Sequence, residues 1–159
     1  MNMNMNTQNN NIPYPTSLNT EMDAQQIFNY VTYRIWKQAR RSIKAGGEKF
    51  TYICAYRGDD GAMCAVGHMI PDQLYDPKME GPDLGTLLRA NKLSPATNQW
   101  LLFLKRHKHL LTDLQEAHDF MYPECDRPDF QSKWLDLCQR VAKNHGLEYY
   151  PELYTKEPK

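Results

Sequence analysis

The stretch that decides the fold is residues 51–80, TYICAYRGDDGAMCAVGHMIPDQLYDPKME. Residues 50–56 alternate in polarity and are rich in aromatic and β-branched side chains, which is typical of a half-buried strand. Asp59-Asp60-Gly61 is a strong turn signal, and residues 62–69 form an apolar run after it. We therefore predict a β-hairpin in which Cys54 and Tyr56 lie on the same face as Cys64.

A long amphipathic helix is predicted before this hairpin. Apolar residues recur at every fourth position from Ile27 to Ile43, which is the helical period. Residues 20–23 resemble a capping box at its start, and Gly46-Gly47 is predicted to end it. One face of this helix is basic and could bind an anion, although such faces are usually only solvated. Its cations are Arg34, Lys37, Arg40, Arg41 and Lys44.

Further helices are predicted after the hairpin. Residues 72–75 fit a single helical turn, and residues 84–90 fit a short helix. Ser94-Pro95 marks a helix start, since a cap residue precedes a proline. The apolar stripe that follows continues to Met121, with a break expected near His107. The last helix is predicted from Pro128 to Gly146.

The predicted fold class is α+β and mostly helical, with one β-hairpin packed against four to five helices. Residues 1–20 form a polar, low-complexity segment that we expect to be disordered, because it buries too little apolar surface to offset its ordering entropy. Residues 21–159 are predicted to form a single compact domain.

The composition of the chain bounds its function. The 159 residues suit one hydrophobic core, and Lys plus Arg equal Asp plus Glu at 19 each. We therefore do not expect nucleic acid as a partner. No apolar run approaches the roughly 20 residues that cross a bilayer, so we expect no membrane and a cytoplasmic location. The 4 scattered cysteines are interpreted as reduced thiols, and no cofactor is expected.

Three side chains of the hairpin are weak candidates for a zinc site. Cys54, Cys64 and His68 offer the sulfur and imidazole ligands that zinc prefers. No CxxC pair accompanies them, and cysteines in apolar surroundings more often serve as packing residues. We therefore predict no metal.

Thiol or histidine catalysis is an alternative. Cys64 could act as a nucleophile with His68 as its base, which requires a thiolate stabilised by a nearby cation. The pair His118-Asp119 could hold a metal, as such pairs do in phosphohydrolases. His118 follows Leu114 by one helical turn, however, and this position favours a buried histidine of the core.

A binding surface is predicted where the hairpin meets the loop after it. Arg57 offers a planar fork for phosphate or carboxylate, and Tyr56 and Tyr75 offer stacking faces. Asp72 and Glu80 could accept hydrogen bonds from hydroxyl or amino groups. A structural interpretation is equally open, in which Arg57 pairs with Asp72 and holds the hairpin against the loop.

Many residues between 54 and 81 fit a shared pattern, C-x-Y-R, a glycine-containing turn, K-C-A-V-G-x-L-I-P-D-E-x-Y and then M-E-G. The fitting residues are Cys54, Tyr56, Arg57, Cys64, Ala65, Val66, Gly67, Ile70, Pro71, Asp72, Tyr75, Met79, Glu80 and Gly81. Met63, Met69 and Gln73 depart from it. In this pattern the chain resembles a group of small phage and bacterial proteins of unassigned function.

A second block, Leu114-Gln115 with His118-Asp119, also resembles this group, as do Trp134 and residues 142–147. The resemblance brings no activity with it. It implies a phage or prophage setting, where small non-enzymatic proteins that bind host factors or signalling nucleotides are common.

The leading expectation is thus a non-enzymatic binding protein, phage or prophage encoded and acting in the host cytoplasm. Its partner would be a host protein or a small anionic or nucleotide ligand, and an anti-defence role would fit. One alternative is a hydrolase that uses Cys64 with His68, or His118 with Asp119. Another is a homo-oligomeric structural accessory protein.

Overall fold

Local sequence signals place most of the helices. A computed structural model describes residues 17–45, 52–81, 84–89, 93–121 and 125–152. The elements in chain order are α1 (Ala24–Gln38), β1 (Ile43–Ala45), β2 (Tyr52–Cys54), α2 (Ala65–His68), 3₁₀ turns at Asp72–Leu74 and Pro77–Met79, α3 (Leu84–Arg89), α4 (Pro95–Arg106), α5 (Lys108–Asp119) and α6 (Arg127–Asn144). Residues 1–16 of the predicted disordered tail lie outside the described ranges.

Helix α1 begins later and ends earlier than predicted. Asp23 is its N-cap and accepts a hydrogen bond from the Gln26 amide at 2.8 Å, while the Gln26 side chain accepts from the Asp23 amide at 3.0 Å. The helix stops at Gln38 because Ala39 adopts a left-handed conformation with φ of 58°. The predicted end at Gly46-Gly47 is therefore wrong, since the apolar repeat continues into a residue, Ile43, that belongs to β1.

The predicted hairpin, and with it the predicted fold class, is wrong. Residues 65–68 are helical rather than extended, so the strand Tyr52–Cys54 has no partner strand there. The described chain is helical apart from two three-residue strands, in which β2 pairs with β1, and a single antiparallel bridge between Arg57 and Met63. The turn at residues 59–61 is present, but it leads into α2.

The apolar run at residues 62–69 was predicted to be a strand because α2, which lies within it, is buried on every side. Ala65, Val66, Gly67 and His68 are all buried, so this helical turn shows no alternation between an apolar and a polar face. A short apolar run without such alternation fits a buried strand equally well. Cys64 is the N-cap of α2, and its sulfur accepts a hydrogen bond from the Gly67 amide at 3.3 Å.

The core lies where α6 packs against α1 and α5, with α2 held between α1 and α5. Trp134 of α6 is fully buried, and its indole nitrogen donates to the Thr32 carbonyl of α1 at 3.0 Å. Fully burying one such side chain stabilises a fold by roughly 1.5–3 kcal/mol. Among the described residues, no helix combines the length and the apolar character that crossing a membrane demands.

The later helices follow their predicted signals. Ser94 caps α4 by accepting from the Thr97 amide at 3.1 Å, and Pro95 occupies the first helical turn. The expected break falls at His107, which separates α4 from α5. Trp100 of α4 donates to the Met69 carbonyl at 2.7 Å and thereby joins this helix to the end of α2.

Gly67 allows α2 to touch the backbone of Tyr56. A β-carbon at residue 67 would lie 2.1 Å from the Tyr56 carbonyl oxygen, a distance that no packed structure tolerates. The glycine is therefore required by close packing and not by a turn.

We expect Gly67→Ala to lower the free energy of unfolding by about 2–3 kcal/mol, because helix and backbone must separate. Gly61→Ala is the comparison, since its β-carbon would meet open space and only the positive φ of 87° would cost about 1 kcal/mol. Urea denaturation measures both. Equal losses for the two variants would contradict the close-packing account.

Candidate functional site

The Glu80 carboxylate gathers most of the predicted binding residues. One oxygen accepts from the backbone amide of Tyr56 at 3.0 Å, and the other accepts from the amide of Arg57 at 3.0 Å. The Tyr75 hydroxyl donates to the second oxygen at 2.5 Å. Burial and this bond to a carboxylate raise the pKa of Tyr75. Glu80 thus fixes the backbone at residues 56–57 to the loop 24 residues later.

The Arg57 guanidinium closes the same cluster. It donates to the Ile70 carbonyl at 2.7 Å and to the Gly67 carbonyl at 3.4 Å, and it also contacts the Met63 sulfur. Its plane lies over the Tyr75 ring at 4.8 Å, and it pairs with Asp72 at 3.1 Å. Arg57 is consequently saturated by groups of its own chain.

All five predicted binding residues therefore lie together, but mainly as partners of one another. The ring of Tyr56 is buried, with 7% of the residue exposed, so it offers no face for a ligand to stack on. One face of Tyr75 is covered by Arg57. Asp72 differs, because 90% of its side chain is exposed and its ion pair with Arg57 is open to solvent.

His68 sits next to this cluster and is buried. Its Nε2 lies 3.1 Å from the Gln38 amide oxygen, which also accepts from the Met63 amide. An amide oxygen only accepts, so Nε2 carries the proton and Nδ1 is a bare acceptor. Nδ1 has no hydrogen-bond partner among the described residues.

The charges of two arginines from different elements act on His68. Burial, followed by the charges of Arg34, the neighbouring His118 and Arg57, lowers the pKa of His68 to about 3. Arg34 projects from α1 over the Tyr30 ring at 5.3 Å, and no carboxylate pairs with it among the described residues. The first helix was predicted to carry five cations on a basic face that could extend an anion-binding surface. The helix ends at Gln38, so Arg34 and Lys37 lie on it, whereas Arg40, Arg41 and Lys44 follow it. Sequence reasoning missed that the charges of Arg34 and Arg57 both act on His68.

The other candidate chemical groups are buried in structural bonds. His118 accepts from the Ser42 amide through Nε2 at 3.0 Å, so its Nδ1 carries the proton and donates to Asp119 at 2.9 Å. Burial lowers the pKa of His118 despite that carboxylate. Asp119 also accepts from Gln115, whose oxygen accepts from the Val66 amide at 3.0 Å. The second block of the shared pattern thus ties α5 to α2 and to the segment after α1.

The Cys64 thiol is also unsuited to act as a catalytic nucleophile. It is buried, and burial raises the pKa of its thiol to about 12, so no thiolate forms near neutral pH. The Cys54 backbone pairs with Ile43, and its side chain lies outside the described set. Within the residues that the structure describes, no three ligating side chains come together as a metal site.

Comparisons with known proteins add no relative. No family model matches this chain, and no curated protein or solved structure matches it either. The resemblance to small phage and bacterial proteins stays a prediction from the residues that carry it.

The variant Glu80→Gln tests the Glu80 clamp, by which we mean the bonds from this carboxylate to the amides of Tyr56 and Arg57 and to the Tyr75 hydroxyl. Glutamine keeps the shape but presents an NH₂ group to a backbone amide, so one donor meets another donor. We expect a loss of about 1–3 kcal/mol in the free energy of unfolding, measured by chemical denaturation. Glu21→Gln, at an exposed glutamate before α1, is the matched control and should change stability by less than about 0.5 kcal/mol. A Glu80→Gln variant as stable as this control would show that the clamp is not needed.

His68 makes stability depend on pH. Its folded-state pKa, about 3, lies below the ordinary value of 6.5, so the unfolded chain binds the proton first as the pH falls. The contribution of neutral His68 to the free energy of unfolding is fully present above pH 6.5. It is lost progressively as the pH falls from that value to about 3, with a slope near 1.4 kcal/mol per pH unit.

The measurement is the free energy of unfolding by urea at intervals from pH 7 to pH 4. We expect the slope of the His68→Gln variant to be smaller than that of the wild type by about one proton. His109→Gln, at an exposed histidine of α5, is the control. An unchanged slope in His68→Gln would contradict the buried, neutral histidine.

Proposed function

We propose that this chain is a non-enzymatic binding protein whose ligand is a small phosphate-bearing anion such as a nucleotide. The observation that carries the proposal is that Arg34 is exposed without a carboxylate partner among the described residues, while the ion pair of Arg57 with Asp72 is open to solvent. In the phage or prophage setting that the resemblance implies, the ligand would be a molecule of the host cell, and its capture would suit an anti-defence role.

Each of these groups would have a separate part in binding. Arg34 is exposed and free of a carboxylate partner within the described residues, so its planar fork is open to a phosphate. Asp72 occupies the solvent side of Arg57, and an anion would take its place.

The burial of the reactive groups supports binding over hydrolysis. Cys64 and His118 would have to touch a substrate, yet 1% and 0% of these residues are exposed. Both ring nitrogens of His118 also form hydrogen bonds within the chain, to the Ser42 amide and to Asp119. Turnover of phosphodiester or nucleotide substrates by purified protein would favour the hydrolase alternative instead.

Thermal shift against inorganic phosphate, pyrophosphate, AMP, ADP, ATP and cyclic nucleotides tests the proposal, because a ligand of the native state raises the melting temperature. We expect Arg34→Gln to weaken the best binder at least about tenfold. Asp72→Asn removes the competing carboxylate and is expected to strengthen binding by about threefold or more.

Lys133→Gln is the control, since it removes an exposed cation of α6. We call the surface formed by Arg34, Arg57 and Asp72 the anion site. The proposal of this site is refuted if no compound of the panel binds, or if Arg34→Gln and Lys133→Gln weaken binding equally. A host protein would then become the favoured partner within the same class of binding proteins.

A further inference from the structure

A groove runs along the outside of the molecule between α5 and α6. Its volume is about 340 Å³. Its lining combines apolar side chains with charged and polar ones from both helices. Residues that line it include Glu116, Ala117, Phe120, Leu137, Arg140 and Val141.

Phe120 makes this groove unusual. It directly follows α5 and is 72% exposed, the largest exposure among the large hydrophobic residues in the described part of the chain. A single exposed hydrophobic side chain is ordinary, but an aromatic ring beside an apolar groove is a feature of association surfaces. Leu137 on the opposite wall is half-buried, so the apolar surface continues across the groove.

Helices α5 and α6 run antiparallel along this groove. The end of α5 and the start of α6 both lie near the end of α1. Arg41, just after α1, donates to the Met121 carbonyl beyond α5 at 2.8 Å, and Arg127 of α6 donates to the Lys37 carbonyl of α1 at 3.0 Å. At the other end, His145 beyond α6 bonds Asp113 of α5 at 2.7 Å. Glu116 and Arg140 therefore lie at similar heights on opposite walls.

The two walls carry opposite charges that are not used within the chain. Glu116 and Arg140 are both exposed, and neither forms an ion pair among the described residues. The groove thus has one acidic wall, one basic wall and an apolar centre.

This arrangement is complementary to itself. A two-fold axis along the groove places α5 of one copy against α6 of the other, and closed two-fold contacts of this kind are the commonest among oligomers. Glu116 would then face the partner's Arg140, and Arg140 would face the partner's Glu116. Phe120 would lie against the partner's Leu137.

We propose that a second copy of this chain occupies the α5–α6 groove and forms a symmetric dimer. The contact would involve only α5 and α6, so we expect an interface at the small end of the range of protein–protein contacts. The proposal is independent of the anion site, which involves Arg34 of α1, Arg57 before α2 and Asp72 after α2.

Sedimentation equilibrium of the full chain, from about 1 to 500 μM, tests the dimer. We expect the wild type to pass from monomer to dimer in this range. Glu116→Arg and Arg140→Glu should each raise the dissociation constant at least about tenfold, because each creates two like-charge contacts. Circular dichroism of each variant checks that these exposed substitutions leave the helices intact.

Mixing the two charge variants gives the decisive result. In a mixed dimer every contact between residues 116 and 140 again joins opposite charges, so an equimolar mixture should associate as tightly as the wild type. Phe120→Ser should weaken the dimer, whereas Leu102→Ser, at a 58% exposed leucine of α4, should not. A wild type that stays monomeric up to 500 μM, or a dimer indifferent to both charge reversals, overturns the proposal.

Discussion

The Glu80 carboxylate is the contact on which the central part of this molecule depends. It accepts two backbone amides, from Tyr56 and Arg57, together with the hydroxyl of Tyr75. A carboxylate that receives three donors holds them more firmly than neutral acceptors would. With the backbone fixed there, the Tyr56 carbonyl meets Gly67 and seats α2, and the Arg57 guanidinium reaches the carbonyl at the end of that turn.

The density of reactive residue types between Cys54 and Glu80 has a structural cause. A four-residue helix cannot satisfy its own terminal amides, and here side chains supply the missing acceptors. Cys64 accepts from Gly67, and Gln115 of α5 accepts from Val66. Thiol and amide groups that resemble a reaction centre in the sequence thus serve as caps inside the core. The surfaces that we propose for function are the flank of Arg34 and the groove beside Phe120.

Sequence reasoning succeeded where the determining interactions are local. The cap at Ser94, the break at His107 and the last helix each depend on residues within one turn. It failed for residues 62–69, because a buried helical turn has no polar face to reveal its period. The five residues that were predicted to bind a ligand lie together in the structure, since they are close in sequence. Their saturation by one another could not be predicted, since it depends on where Ile70 and Gly67 present their carbonyls.

The sequence by itself determined the positions of most helices, the turn at residues 59–61 and the basic character of α1, because each follows from neighbours a few residues apart. Only the tertiary structure decided what the histidines do. His118 bonds the amide of Ser42, 76 residues away, and His68 bonds the side chain of Gln38 in α1, 30 residues away. Burial sets their protonation, and burial is a property of the packed chain that no local pattern contains.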